Sequence, residues 1–150
     1  MGDVPALAGQ AQRLEIQADV GQLAAVRAFV RDGAASLGAP PRAVGDLVQA
    51  VDESVANIIL HGYRAGPGQV IVEVGRAGPK LVVRLLDNAP AFDPTALPAP
   101  DLSLPLLRRR PGGLGVFLVR ELTDEVHYRR TAQGNELTLV KSCFDDEEEG

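Results

Sequence analysis

The sequence has no tryptophan, one methionine, one cysteine and two histidines, and aromatic residues make up only 4% of it. A lone Cys143 excludes an internal disulfide and any cysteine-based metal site. His61 and His127 are too few and too far apart for a histidine cluster. No apolar run approaches the roughly 18 residues that a membrane span needs. The opening MGDVPALAGQAQRLE lacks a basic segment followed by a long apolar stretch, so it does not read as a signal peptide. The cytoplasm is the expected compartment. A charge excess is also missing from the body of the chain. The run Asp145–Glu149 supplies five of the 20 acidic residues, which leaves 15 against 15 Lys and Arg. A near-neutral body offers no basic face for nucleic acid, and the acidic run reads as a solvated appendage.

What is present is a chain of 150 residues, 45% hydrophobic, with the apolar share carried by Ala, Val and Leu. That length suits one domain with a core of its own. The expected domain spans 1–150, with a core of about 13–142 and a tail at 145–150.

Leu14, Ile16 and Ala18 alternate, which predicts a strand over Arg13–Ala18. From Val20 to Leu37, the residues Leu23, Val26, Val30, Ala34 and Leu37 recur every three or four positions, as on an amphipathic helix. Gly38 and Pro40–Pro41 stop that helix and start a second over Pro41–Leu60. Gly62–Gly68 is a turn. Strands over Gln69–Arg76 and Lys80–Leu86 read as a hairpin across Ala77–Gly78–Pro79. Five prolines fall between Ala89 and Pro105, marking a long functional loop. A helix over Gly113–Leu122 follows, then strands over Asp124–Arg130 and Glu136–Ser142 flanking the turn Ala132–Asn135. The order β-α-α-β-β-loop-α-β-β predicts an α+β layer fold, with helices packed on one sheet face.

Three places could carry chemistry. On the second helix, Glu53 and Asn57 stand four residues apart, nearly opposite the apolar stripe. Alone, such a pair is an ordinary solvated face, yet Asn is a poor choice inside a helix. Glu beside Asn suits a general base next to an amide oxygen able to ligate a hard cation such as Mg²⁺. In the second place, an apolar strand ends at Asp87, followed by Asn88, Ala89, Pro90, Ala91, Phe92 and Asp93. An acid there can accept from an exocyclic amine, and small neighbours admit a flat ring; in isolation the segment is a plain turn. The third is Gly112–Gly113–Leu114–Gly115 opening a helix, a phosphate cradle in form. It lacks the Lys-Ser/Thr of a Walker A loop and the glycine spacing of a dinucleotide fingerprint.

Taken in order, Glu-x3-Asn on a helix, Asp-x-small-x2-Phe-Asp after a strand and Gly-Gly-x-Gly opening a helix form a rarer combination. It resembles the N, G1 and G2 boxes of the GHKL ATP-binding superfamily, from about Leu14 to Lys141. The segments VDESVANIILHGY, GGLGVFLVRELTDEVHY and GNELTLVK look most like the anti-sigma-factor serine/threonine kinases. That resemblance implies a two-layer α/β sandwich of the Bergerat type, with a mixed, mostly antiparallel sheet. It implies ATP and Mg²⁺ as ligands. Glu53 would be the general base, Asn57 the Mg²⁺ ligand and Asp87 the acceptor for the adenine amine, with Phe92 in the same box. Gly113, Leu114 and Gly115 would offer N–H groups to the phosphates, and Thr138 would place a hydroxyl beside the adenine.

In the lid, Arg108, Arg109 and Arg110 could pair with the γ-phosphate; a solvated basic loop is the plainer reading. The implied partners are a STAS-domain anti-anti-sigma protein, a sigma factor and a second copy of the chain, with no nucleic acid and no membrane. One departure stands out, because Ala89 occupies the place of the family's usual glycine. If the backbone there needs φ > 0, Ala is strained by roughly 1–2 kcal/mol. If the glycine only makes room for the purine, the methyl loosens the cavity. Such a loss would favour a second function, a non-catalytic partner-binding module that binds ATP weakly.

Overall fold

The structure, a computed structural model, describes residues 11–91, 93, 95 and 113–144, with the backbone alone for 113–115. Its elements are β1 (Gln12–Gln17), α1 (Leu23–Ser36), α2 (Pro41–Asn57), β2 (Gln69–Ala77), β3 (Lys80–Asp87), α3 (Gly113–Leu122), β4 (Glu125–Thr131) and β5 (Gly134–Ser142). A short 3₁₀ turn, Val20–Gln22, leads into α1, and a π-helical turn, Ile58–Gly62, follows α2. Pro41 stands at the first position of α2, where its fixed φ is already helical and its missing N–H costs nothing.

The five strands form one sheet in the order β1-β2-β3-β5-β4. All four pairings are antiparallel, so the expected mixed, mostly antiparallel sheet is wholly antiparallel among the described residues. The hairpin partner β5 inserts between β3 and β4, which keeps those two parallel strands from touching.

Alternation sends one residue of every two toward the helices. Three rows of the inner face lead toward the site. Val74, Val83, Leu139 and Val126 form one, and Val72, Leu85, Leu137 and Tyr128 the next. The third, at the end of the sheet, runs Val70, Asp87, Asn135, Arg130 and turns polar. Against the apolar rows lie Val26 and Val30 of α1 and Leu47, Val51 and Val55 of α2, all buried in one core. Helix α3 packs along α2 and closes the layer beside β4 and β5.

Candidate functional site

A cavity opens at the polar end of the inner face, between the end of α2, helix α3 and strands β3, β5 and β4. Its walls are apolar: Ile58, Val116, Val119, Val126 and Leu137. Its polar groups are few: Ser54 and Asn57 from α2, Asp87 from β3, Thr95, Asn135 from β5, Tyr128 and Arg120. An apolar slot with sparse convergent polar groups is the usual form of a small-molecule site.

Asp87 is the last residue of β3, where the strand's alternation aims its carboxylate inward. Oδ1 accepts from the Ala89 N–H at 2.9 Å and from the Asn135 amide nitrogen at 2.8 Å. Burial raises the carboxyl above its ordinary pKa, against the pull of Asn135, the Ala89 N–H and the Arg130 guanidinium. Asn57 ends α2, and its side chain makes no hydrogen bond with the described residues. Glu53 lies one turn earlier, half-exposed, and does not line the cavity.

After Asn57 the helix widens, and the Tyr63 N–H reaches the Ile58 carbonyl at 2.8 Å, five residues back. Such π turns occur often at functional sites. Tyr63 then joins the two halves of the site, because its hydroxyl accepts from the Asn88 N–H at 2.8 Å and donates to the Gln69 carbonyl at 2.7 Å. His61 lies exposed in the same turn.

Gly113, Leu114 and Gly115 form the first turn of α3, one step before the wall residues Val116 and Val119. Arg120 of α3 donates to the Thr95 carbonyl and so ties the segment after β3 to the helix. Phe92, Arg108, Arg109 and Arg110 lie outside the described residues.

Two expectations need correction. Thr138 does not stand beside Asp87. It pairs with Arg84 on the opposite sheet face, 1% exposed, while Asn135, Leu137 and Leu139 take the inner positions. Asn135, read from the sequence as part of a turn, occupies the place beside the carboxylate. The Thr131 hydroxyl donates to the Gly134 carbonyl at 3.2 Å and accepts from the Gln133 N–H at 3.1 Å. The hairpin therefore closes in two residues, and Gly134 and Asn135 join β5.

The second correction concerns Ala89. Among the described residues, the non-glycines with positive φ are Arg64 (54°) and Ala65 (62°), so Ala89 carries no left-handed strain. Its methyl is 1% exposed and is not part of the cavity wall. It faces Gly62, where an added Cβ would sit 3.3 Å away.

Comparison with known proteins accounts for this arrangement. Residues 16–141 match the family described as histidine kinase-like ATPase domain. The chain belongs to that family. It is similar to the serine/threonine-protein kinase BtrW of Bordetella bronchiseptica, at 31% identity over 95 residues, covering 63% of this chain and 67% of that protein. It is also similar to the serine-protein kinase RsbW of Bacillus cereus, at 25% identity over 117 residues, covering 75% and 73% respectively. A crystal structure of the RsbU and RsbW domains of a Mycobacterium tuberculosis protein shares the fold. Its TM-score is 0.59 at 23% identity, and the match covers 88% of this chain and 32% of that one. No described helix is long and apolar enough to cross a membrane.

Proposed function

We propose that this chain is a protein serine/threonine kinase that transfers the γ-phosphate of ATP to a STAS-domain anti-anti-sigma partner in a bacterial partner-switching system. The observation that carries the reading is one apolar cavity with Asp87 on one side and Asn57 on the other, both with polar atoms that the described residues leave unused.

The unengaged Oδ2 of Asp87 accepts from the adenine amine, and the apolar walls hold the flat ring. The described residues contain no cluster of three or more His, Cys, Asp or Glu able to cage a metal. A single amide oxygen at Asn57 fits Mg²⁺ all the same, since that ion is commonly held by one or two side chains together with substrate phosphates and water. When bound, Mg²⁺ neutralises charge on the phosphates. The N–H groups of Gly113, Leu114 and Gly115 at the start of α3 hold phosphate oxygens, and Arg108, Arg109 and Arg110 pair with the γ-phosphate. Glu53 takes the proton of the partner's hydroxyl. A bond forms from that oxygen to the γ-phosphorus as the bond to the β-phosphate oxygen breaks, and ADP leaves.

A sigma factor competes for the same protein, which works as a homodimer in the cytoplasm. The alternative of a non-catalytic binding module leaned on Ala89, whose φ is not positive and whose methyl does not line the cavity.

Calorimetric titration with ATP, with and without Mg²⁺, tests the reading. Saturable, Mg²⁺-dependent binding lost in Asn57→Ala is expected. Glu53→Gln keeps binding and loses transfer of labelled phosphate to a STAS-domain substrate. No binding at millimolar ATP would sink the reading.

A further inference from the structure

Asn135 is buried at the centre of a hydrogen-bond cluster that joins three strands and the turn after β3. Its amide nitrogen donates to Asp87 Oδ1 at 2.8 Å, to the Ala89 carbonyl at 3.1 Å and to the Pro90 carbonyl at 3.2 Å. Its oxygen accepts from the Tyr128 hydroxyl at 2.6 Å and from the Arg130 guanidinium at 3.2 Å. Arg130 also donates to the Ala89 carbonyl at 2.7 Å. The amide has one orientation. Reversed, it would set its oxygen against three acceptors and its NH₂ against the guanidinium.

We propose that Asn135 is a positioning residue that occupies one oxygen of Asp87, so that the carboxylate presents a single acceptor to the base and selects adenine over guanine. This rests on the nucleotide-binding reading of the cavity. The chemistry of the two bases supplies the reason. Adenine offers one exocyclic amine at this edge, and one free oxygen satisfies it. Guanine offers a pair of donors, N1–H and the 2-amino group, which call for both oxygens of a carboxylate, and beside them a carbonyl that repels an acceptor. With Oδ1 taken by Asn135 and the Ala89 N–H, only Oδ2 remains. The same bond favours the ionised, acceptor-only form of Asp87 against the opposing effect of burial.

The test uses the full chain with Asn135→Ala, Asn135→Asp and Tyr128→Phe, titrated by calorimetry with MgATP, MgGTP and magnesium tripolyphosphate. A second readout is the Asp87 carboxyl titration followed by NMR without nucleotide. Asn135→Ala is expected to weaken ATP by about 10-fold or more, the usual effect of losing a hydrogen bond to a charged group. The ATP/GTP ratio shrinks by a similar factor, tripolyphosphate affinity stays within about 2-fold, and Asp87 titrates higher than in the parent. Asn135→Asp has nearly the same shape but replaces the donor with a charge, so it moves both readouts further. Tyr128→Phe removes one anchor and lowers the ratio by less, and it carries the test with Asn135→Asp if the alanine variant does not fold.

An unchanged ATP/GTP ratio in a folded variant overturns the proposal, as does an unmoved Asp87 titration. Absence of nucleotide binding in the parent chain ends the kinase reading instead. The Asp87 titration then decides alone whether Asn135 positions that carboxylate.

Discussion

Replacing Ala89 by glycine sets the residue that the GHKL resemblance implies at that position, and two opposite outcomes can be derived. A residue held at positive φ would gain roughly 1–2 kcal/mol from the change. Ala89 has no such φ, and its methyl is 1% exposed against Gly62, so the structure predicts a loss. Removing one buried methyl costs about 0.8 kcal/mol. The added chain freedom of glycine costs about 0.5–1 kcal/mol more. Together these lower stability by about 1.5 kcal/mol, or roughly 3–6 °C in Tm for a domain of this size.

The mirror change, Gly62→Ala, adds a Cβ 3.3 Å from that of Ala89, inside the ~3.5–4.0 Å optimum for carbon contacts. It should cost about 1 kcal/mol through crowding. Making both changes moves the methyl from one wall to the other, so the double variant should be more stable than the sum predicts by at least about 0.5 kcal/mol. Urea unfolding followed by far-UV circular dichroism measures all four proteins, and ATP titration of each checks the site. Ala89→Gly should leave ATP affinity within about 2-fold, because the methyl does not line the cavity. A stabilised Ala89→Gly protein would refute this reasoning, and so would strict additivity of the two changes.

Two further outcomes follow from the same end of the sheet. Asp87→Asn should abolish ATP binding while keeping or raising Tm, since it removes a charge that burial opposes. Its sign with pH is fixed: a raised carboxyl pKa means that the native state holds more protons than the unfolded one. The parent therefore loses stability as pH rises from the unfolded value of Asp87 through its folded value. The difference between parent and Asp87→Asn urea curves should show that slope, and an opposite slope refutes the assignment. Gly134→Ala should lower stability by more than about 2 kcal/mol and weaken ATP, because Gly134 has φ +135° and a Cβ there would lie 2.1 Å from the Asp87 carbonyl. An unchanged Tm would show that this close approach is relaxed in solution.

Much of this was legible from side-chain periodicity. The alternation of Leu14, Ile16 and Ala18 and the recurrence of Val26, Val30 and Ala34 predict a strand and a helix whose buried faces match the observed core. Asp87 announced itself as an acid ending an apolar strand. The π turn after Asn57 was not legible, because Ile58, Ile59 and Leu60 continue a helical pattern, and the widening appears only where Tyr63 bonds back to Ile58. Asn135 was missed because Gly-Asn after Ala-Gln reads as a turn. The signal was present in parity: Leu137 and Leu139 are core residues, so Asn135 shares their face and Thr138 cannot. Where a hairpin closes, to within one residue, decides which side chain stands beside Asp87, and here the Thr131 hydroxyl marks the closure.

The polar row across the sheet end also explains how the fold tolerates an acid on its buried face. The two rows nearest that end are apolar from β2 to β4 apart from the Tyr128 hydroxyl, and the end row runs Val70, Asp87, Asn135, Arg130. An isolated carboxylate there would be expelled or neutralised. Each polar group instead satisfies the next, from Arg130 to the Asn135 oxygen and from the Asn135 nitrogen to Asp87, while Tyr128 adds a donor from the neighbouring row. Oδ2 of Asp87 receives no bond from the described residues, and Asp87 lines the cavity. A row that satisfied every atom would be more stable and would leave nothing for a base to bind. On the nucleotide reading proposed above, that one unused acceptor of the row is what distinguishes this end of the sheet from a continuation of the core.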